Sequence, residues 1–306
     1  MGPNSLFGPL DPAPDAGYTD APQRKGFFTD TSVCIGCKAC EVACKEWNDV
    51  PENAFEMLGT SYDNSHSLNA NQWRHVAFIE KPAAKPSSAP SVDLGMPAVG
   101  APVSDVPQDE KPDFQWLMSS DVCKHCTHAA CLDVCPTGSL FRSEFGTVVV
   151  QDDICNGCGY CVAACPYGVI DRRRGPEGDP KVGIAQKCTL CYDRLTDGQR
   201  PACAAACPTE SIQYGDVDEL RERATARVEL LHERGVMDAR LYGNDPDDGV
   251  GGTGAMFLLL DEPEVYGLPP DPVVTTKDLP RMFTRAGMAG TALLIGAALS
   301  FVRRRP

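Results

Sequence analysis

CIGCKACEVAC, residues 34–44, sets Cys34, Cys37, Cys40 and Cys44 at gaps of two, two and three residues. CNGCGYCVAACP (155–166) repeats those gaps with Cys155, Cys158, Cys161 and Cys165. CKHCTHAACLDVCP (123–136) widens the second gap to four, for Cys123, Cys126, Cys131 and Cys135. CTLCYDRLTDGQRPACAAACP (188–208) opens it to eleven, for Cys188, Cys191, Cys203 and Cys207. These four groups of four use all 16 cysteines in the chain.

The spacing suits iron–sulfur cubanes. A cubane presents four irons on one compact body, so three thiolates reach it from one tight loop. The fourth cysteine, at the start of the next short helix, points away and serves the other cluster of a pair. Gly36, Gly157 and Gly159 let the loops turn closely, and Pro136, Pro166 and Pro208 follow three of the fourth cysteines. Lys45 stands where the simplest run has proline. Disulfides fit poorly, because cysteines three apart in tight loops suit a shared metal body better than long-range crosslinks. Zinc competes only at the fourth group, whose CxxC…C reads also as a zinc ribbon. CPTGSL (135–140), CPYGVI (165–170) and CPTESI (207–212) form an internal repeat, a helix-to-strand return of a ferredoxin unit. Val148–Val150, Val169–Ile170 and Ile212–Tyr214 are its expected strands.

The rest of the composition agrees. At 306 residues the chain has room for about two domains. A net charge of −14 disfavours nucleic acid as a partner, since phosphate binding needs excess Lys and Arg. Gly (28) and Pro (26) point to many turns, and 7% aromatics to a modest core. No Ser/His/Asp set, paired-carboxylate site or dinucleotide fingerprint stands out, so a relay without its own catalytic residues is expected. His125 and His128 lie inside the second group, where four cysteines already complete a ligand set. They read as packing or hydrogen-bonding residues. Trp47, after Cys44, reads as packing against a cysteine loop rather than as an electron path. Lys38, Lys45, Lys124, Lys187, Arg172, Arg173 and Arg174 are candidates to offset cluster charge, the Arg run competing with a solvated turn.

Along the chain, 1–25 is a Pro-rich arm with no basic or apolar signal segment. Residues 26–80 hold the first cysteine group, 81–112 form a Pro-rich linker, 113–185 hold the second and third groups, and 186–215 hold the fourth. HVAFIE (75–80) reads as a strand. Residues 216–280 form an extension: an amphipathic helix over 216–235 with Leu220, Ala224, Val228 and Leu231 inward and Gly235 as its stop, then a strand at Met256–Leu260. GVGGTG (249–254) lacks the Lys-Ser/Thr of a phosphate loop and precedes a strand, so it reads as a tight turn. Residues 281–306 are an anchor with a basic tail. Ala286–Val302 has 17 uncharged residues, about 26 Å of helix against a roughly 30 Å hydrocarbon core. Flanking arginines and Met282–Phe283 make up the difference, and Ala292, Gly296 and Ser300 share one face. A buried soluble helix is the competing reading. Lys277, Arg281 and Arg285 balance Arg303–Arg305, so charge leaves orientation open.

In group order and gaps the chain resembles the four-cluster subunits of molybdenum or tungsten oxidoreductases, most of all the beta subunit of membrane-bound formate dehydrogenase. CIGCKACEVACKEWND (34–49), KCTLCYDRLTDGQRPAC (187–203), GVGGTGAMFLLL (249–260) and PEVYGLPPDP (263–272) carry the likeness, which spans about 26–302. It implies an α+β fold of two ferredoxin-like dicluster units, an outer one of 26–80 with 186–215 and an inner one of 113–185, with Pro/Gly-rich insertions and one C-terminal transmembrane helix. It also implies four [4Fe-4S] clusters: Cys34, Cys37, Cys40 with Cys207; Cys188, Cys191, Cys203 with Cys44; Cys123, Cys126, Cys131 with Cys165; Cys155, Cys158, Cys161 with Cys135. The second group has no tryptophan in a cysteine's place, so no three-iron cluster is expected. A molybdopterin catalytic alpha subunit and a haem-b membrane gamma subunit are the implied partners. The implied location is the cell membrane, crossed once. The same wire in another molybdoenzyme or a hydrogenase is the alternative.

Overall fold

The computed structural model describes residues 16–52, 59, 62–65, 67–82, 114–176 and 178–302. Its strands are β1 (Lys25–Asp30), β2 (Arg74–Pro82), β3 (Phe114–Val122), β4 (Leu140–Arg142), β5 (Val148–Val150), β6 (Asp171–Arg172), β7 (Ala185–Gln186), β8 (Ile212–Asp216), β9 (Arg240–Tyr242) and β10 (Ala255–Leu259). Its helices are α1 (Ala39–Trp47), α2 (Ala130–Asp133), α3 (Tyr160–Ala164), α4 (Tyr192–Thr196), α5 (Ala202–Ala205), α6 (Val217–Glu233) and α7 (Leu279–Val302). The segments 1–15, 83–113 and 303–306 hold most of the expected arm, most of the linker and the basic tail, and lie outside the described residues.

A four-stranded sheet in the order β8-β1-β10-β9 is the spine. β1 and β10 run parallel at its centre, Phe27 opposite Ala255 and Phe28 opposite Met256. Strands covered on both faces read as continuous apolar runs, and all of Ala255–Leu259 is buried. Successive side chains point to opposite faces. Phe28, Met256 and Leu258 therefore face α6, packing on Val217, Leu220, Ala224 and Leu231. Phe27, Ala255, Phe257 and Leu259 face the other way, into a core that includes Cys40, Cys44, Cys123, Cys188 and Cys203. One side of the sheet thus carries a helix and the other carries the cysteine loops.

α6 follows the expected pattern, with Val217 joining its inward face and Val228 only partly buried. Asp218 and Glu219 sit in its first turn, where the helix dipole favours negative charge. At its end Gly235, at φ 85°, lets its own N–H reach His232 O and lets Val236 N–H reach Leu231 O, a Schellman closure. Arg227 Nε on α6 donates to Asp30 Oδ2 at 2.8 Å. The other oxygen of Asp30 accepts from Ser32 N at 2.9 Å. The helix is thereby tied to the turn that launches the first cysteine loop.

The remaining sheets are two-stranded. β2 and β3 form a nine-pair antiparallel hairpin from Arg74–Val122 to Pro82–Phe114. It joins a strand of the expected outer unit to one at the start of the inner unit. β4–β5 and β6–β7 are short hairpins beside the second and third cysteine groups. Val169 and Ile170 are buried just ahead of β6, so that strand begins two residues later than expected. β1 and β3 were not anticipated. Their buried and exposed positions mix Phe with Thr, Ser and Asp, which hides the strand period.

α7 begins at Leu279, seven residues before the expected apolar segment. Its 24 residues give about 36 Å, which removes the length deficit. Arg281–Phe301 is long and apolar enough to cross a membrane, and none of it is buried in the chain. Leu293, Leu294 and Phe301 are each at least 74% exposed. Among the described residues nothing packs over this surface, so the buried-helix reading finds no support within the chain.

Leu220 is 1% exposed between α6 and the sheet. Leu220→Ala is expected to cost about 2–5 kcal/mol, seen as a lower urea midpoint. Iron per chain should not change, because this core contains no cysteine.

Candidate functional site

The first cysteine loop leaves β1 through a short turn at Thr31–Val33. Gly36 and Lys38 take positive φ angles of 64° and 59°, which bends the chain sharply into α1. Lys38 is held in that conformation by Asp63, 2.7 Å away. Asp63 in turn contacts His75 Nε2 at 2.6 Å. Burial raises the Asp63 carboxyl, but the Lys38, Ser65 and His75 hydrogen bonds outweigh it and hold the group well below the usual carboxylate range. Cys40 and Cys44, four residues apart on α1, share a face and are both buried.

Tertiary contacts complete the quartets. Cys34, Cys37, Cys40 and Cys207 line one cavity. Cys123, Cys126, Cys131 and Cys165 line another. Cys44 lies among Cys188, Cys191 and Cys203, whose charges together with burial push its thiol well up. Cys161 is pushed up to about 11 by burial and then by Cys155, Cys158 and Cys135. Each quartet draws on cysteines far apart in sequence.

Sulfurs of successive quartets also lie within electrostatic reach of one another. The Cys203 charge helps raise the Cys40 thiol, whose value is about 11. Cys123 acts likewise on Cys188, and Cys161 on Cys131. The row therefore runs from the Cys34 quartet through the Cys188 and Cys123 quartets to the Cys155 quartet. Cys37 in the first quartet and Cys158 in the last are exposed, whereas the two middle quartets have no exposed member.

Four thiolates in one buried space repel one another and lose solvation. Burial is the leading cause for each raised thiol, and neighbouring sulfurs add to it; Cys131 reaches about 12 and Cys191 about 11. Such a set needs a cationic body to hold it. Among the described residues no group of three or more His, Cys, Asp or Glu converges on a single-ion site. Two of the sets instead line cavities, one with Cys34, Cys37, Cys40 and Cys207 and one with Cys123, Cys126, Cys131 and Cys165.

Hydrogen bonds reach several sulfurs. Leu190 N donates to Cys188 Sγ at 3.3 Å. Asn48 Nδ2 is 3.8 Å from both Cys44 Sγ and Cys191 Sγ. Cys135 is the exception in charge: burial raises it, but the Leu140 and Thr137 N–H groups and the Thr137 and Ser139 hydroxyls bring it down to about 7. Such bonds to sulfur tune cluster potentials.

The singled-out residues fall into distinct places. His125 is buried, its Nδ1 accepting from Val148 N at 3.2 Å, and its ring lines the second cavity. His128 packs on the Gly-rich segment, where a Cβ at Gly251 would lie 2.4 Å from its ring. Trp47 is a surface residue, stacked under Arg194 at 4.1 Å and donating to Asp193 Oδ2 at 2.7 Å. Lys124 and Lys187 are fully buried among the cysteine loops. Arg173 is buried, while Arg172 and Arg174 are exposed, so one of the three arginines is interior and two belong to a solvated turn. GVGGTG does more than turn. Thr127 N and His128 N donate to Gly252 O and Val250 O, and Gly254 N donates to Lys124 O. The segment clamps the second cysteine loop through its backbone.

Sequence reading missed Arg74, Ser120 and Asn48. Only the last, four residues after Cys44, carried a local signal.

Gly157 and Gly168 both have positive φ, 70° and 62°, beside cysteines of the third group. A Cβ on Gly157 would meet Gly183 O at 2.6 Å, whereas one on Gly168 meets nothing within 4 Å. Backbone strain is shared, so the pair isolates close approach. Gly157→Ala is expected to lower iron per chain well below that of Gly168→Ala, measured by iron analysis against protein mass.

Two family models, both described as 4Fe-4S dicluster domain, match this chain, one over residues 33–139 and one over 114–217. The formate dehydrogenase iron–sulfur subunit of Haemophilus influenzae is 37% identical over 91% of this chain and 82% of its own length. The nitrate-inducible formate dehydrogenase iron–sulfur subunit of Escherichia coli is 38% identical over 81% of this chain and 73% of its own. A subunit of the anaerobic dimethyl sulfoxide reductase of Escherichia coli is 33% identical over 65% of this chain and 76% of its own. With cysteine loops matched by dicluster models and the likeness running across the fold, the chain belongs to the family of formate dehydrogenase iron–sulfur subunits.

Proposed function

We propose that the chain passes electrons singly through four [4Fe-4S] clusters, from a molybdopterin catalytic subunit carrying Mo or W to a haem-b membrane subunit that delivers them to quinone. Cys34, Cys37, Cys40 and Cys207 hold the first cluster; Cys44, Cys188, Cys191 and Cys203 the second. Cys123, Cys126, Cys131 and Cys165 hold the third; Cys135, Cys155, Cys158 and Cys161 the fourth. Each bound cluster supplies a one-electron couple, with no covalent bond made or broken in the protein.

The observation that carries the reading is the row of quartets, enclosed in the middle and exposed at Cys37 and Cys158. Electrons enter and leave only where a partner can approach. Ile35, 58% exposed beside Cys37, and Tyr160, 61% exposed beside Cys158, offer apolar surface at the two ends for docking. Between them the buried sulfurs are shielded from water, and backbone and side-chain donors hold them in place. α7 anchors the relay in the bilayer by a single pass.

The same relay serving a sulfoxide reductase or another complex is the second reading. Likeness to the dimethyl sulfoxide reductase subunit covers 65% of this chain, against 91% for the Haemophilus formate dehydrogenase subunit. That difference favours formate. Purification from membranes should bring down a large molybdopterin subunit and give formate-dependent dye reduction. A large subunit with no formate activity would support the second reading.

Cys155→Ala should lower iron from about sixteen to about twelve atoms per chain. Formate-driven quinone reduction should fall while formate-driven dye reduction at the catalytic subunit persists. A variant with undiminished iron contradicts the ligand assignment.

A further inference from the structure

Arg74 occupies the junction between the first two quartets. It opens β2, opposite Val122 on β3, and is 1% exposed. Its guanidinium stacks on Phe27, 4.9 Å from the ring centre, in the core that contains Cys40, Cys44, Cys188 and Cys203. Nη1 donates to Ser120 Oγ at 2.9 Å, and that oxygen is 3.2 Å from Cys40 Sγ. With its lone pair engaged by Arg74, the Ser120 hydroxyl is free to donate to the sulfur. Nε and Nη2 have no hydrogen-bond partner among the described residues. A buried guanidinium keeps its proton, and unpaired buried donors are costly. The charged groups that act on it are sulfurs of both quartets, Cys40 from the first and Cys203, Cys188 and Cys44 from the second.

From this geometry we propose that Arg74 is a shared tuning residue for the first two clusters, its Nε and Nη2 donating to their sulfurs and its charge raising both reduction potentials. The proposal rests on the four-cluster reading above. Reduction adds one negative charge to a cluster, and a fixed positive charge beside it stabilises that state. Electrostatics agree: burial lowers Arg74's affinity for its proton, but Cys203, Cys40, Cys188 and Cys44 outweigh it and raise it. Through Ser120 the same side chain orients Cys40. The effect confines itself to the outer pair, making it a favourable receiver of electrons ahead of the inner pair.

The test is a redox titration of the purified complex followed by EPR, comparing wild type with Arg74→Gln. Two of the four midpoints should fall by at least about tenfold in the reduction equilibrium, about 59 mV for a one-electron couple, and two should stay. Four unmoved midpoints, or four moved equally, overturn the proposal. A wild-type protein without iron would instead sink the four-cluster reading, so the two failures are distinct. If Arg74→Gln loses iron, wild-type protein grown on 15N-arginine decides. Pulsed EPR of its reduced state should show a guanidinium nitrogen coupled to a cluster, and Arg74→Lys should remove that coupling. No coupling in wild type, or its persistence in Arg74→Lys, overturns the proposal.

Discussion

Sixteen cysteines gathered in one small protein, seven of them buried and only Cys37 and Cys158 exposed, are an electrostatic constraint before they are anything else. As anions in a medium of low dielectric they repel one another and forfeit solvation. A cationic body among the thiolates offsets that cost, and loops with little apolar core of their own are expected to fold together with metal assembly. The resemblance in group order and the match to dicluster domain models both follow from the same requirement.

The central sheet solves the opposite problem. Iron-binding loops are irregular and need a rigid support. β1 and β10 supply it by being buried on both sides, with α6 closing one face and the cysteine loops covering the other. The first loop starts directly from the end of β1. The Gly-rich segment ahead of β10 clamps the second loop through main-chain hydrogen bonds. Strands thus place loops whose own sequences are mostly cysteine, glycine and small residues.

Interior cations form the second layer of control. Arg74, Lys124 and Lys187 are all fully buried, which basic side chains accept only beside compensating charge. Lys124 pairs with Asp121, and Lys187 donates to Val148 O and to Cys188 O. Among the described residues Arg74 has no carboxylate partner, and the charges that act on it are those of Cys203, Cys40, Cys188 and Cys44. Net acidity over the whole chain conceals this inner distribution, because most acidic residues lie at the surface.

The sequence alone determined the cysteine groups, the cluster chemistry, α6 with its glycine stop, and the apolar C-terminal helix. Each of these is written in spacing over a few residues or one helical period, so short-range geometry suffices to read it. Tertiary structure decided what spacing cannot: the parallel pairing of β1 with β10, the β2–β3 hairpin linking the two expected units, and the serial order of the quartets. It also decided that Arg74, in a strand with no cysteine, comes within electrostatic reach of both Cys40 and Cys188. Those placements depend on contacts between segments separated by tens to hundreds of residues. No local pattern records them, because the energy that selects them is burial shared across the whole core.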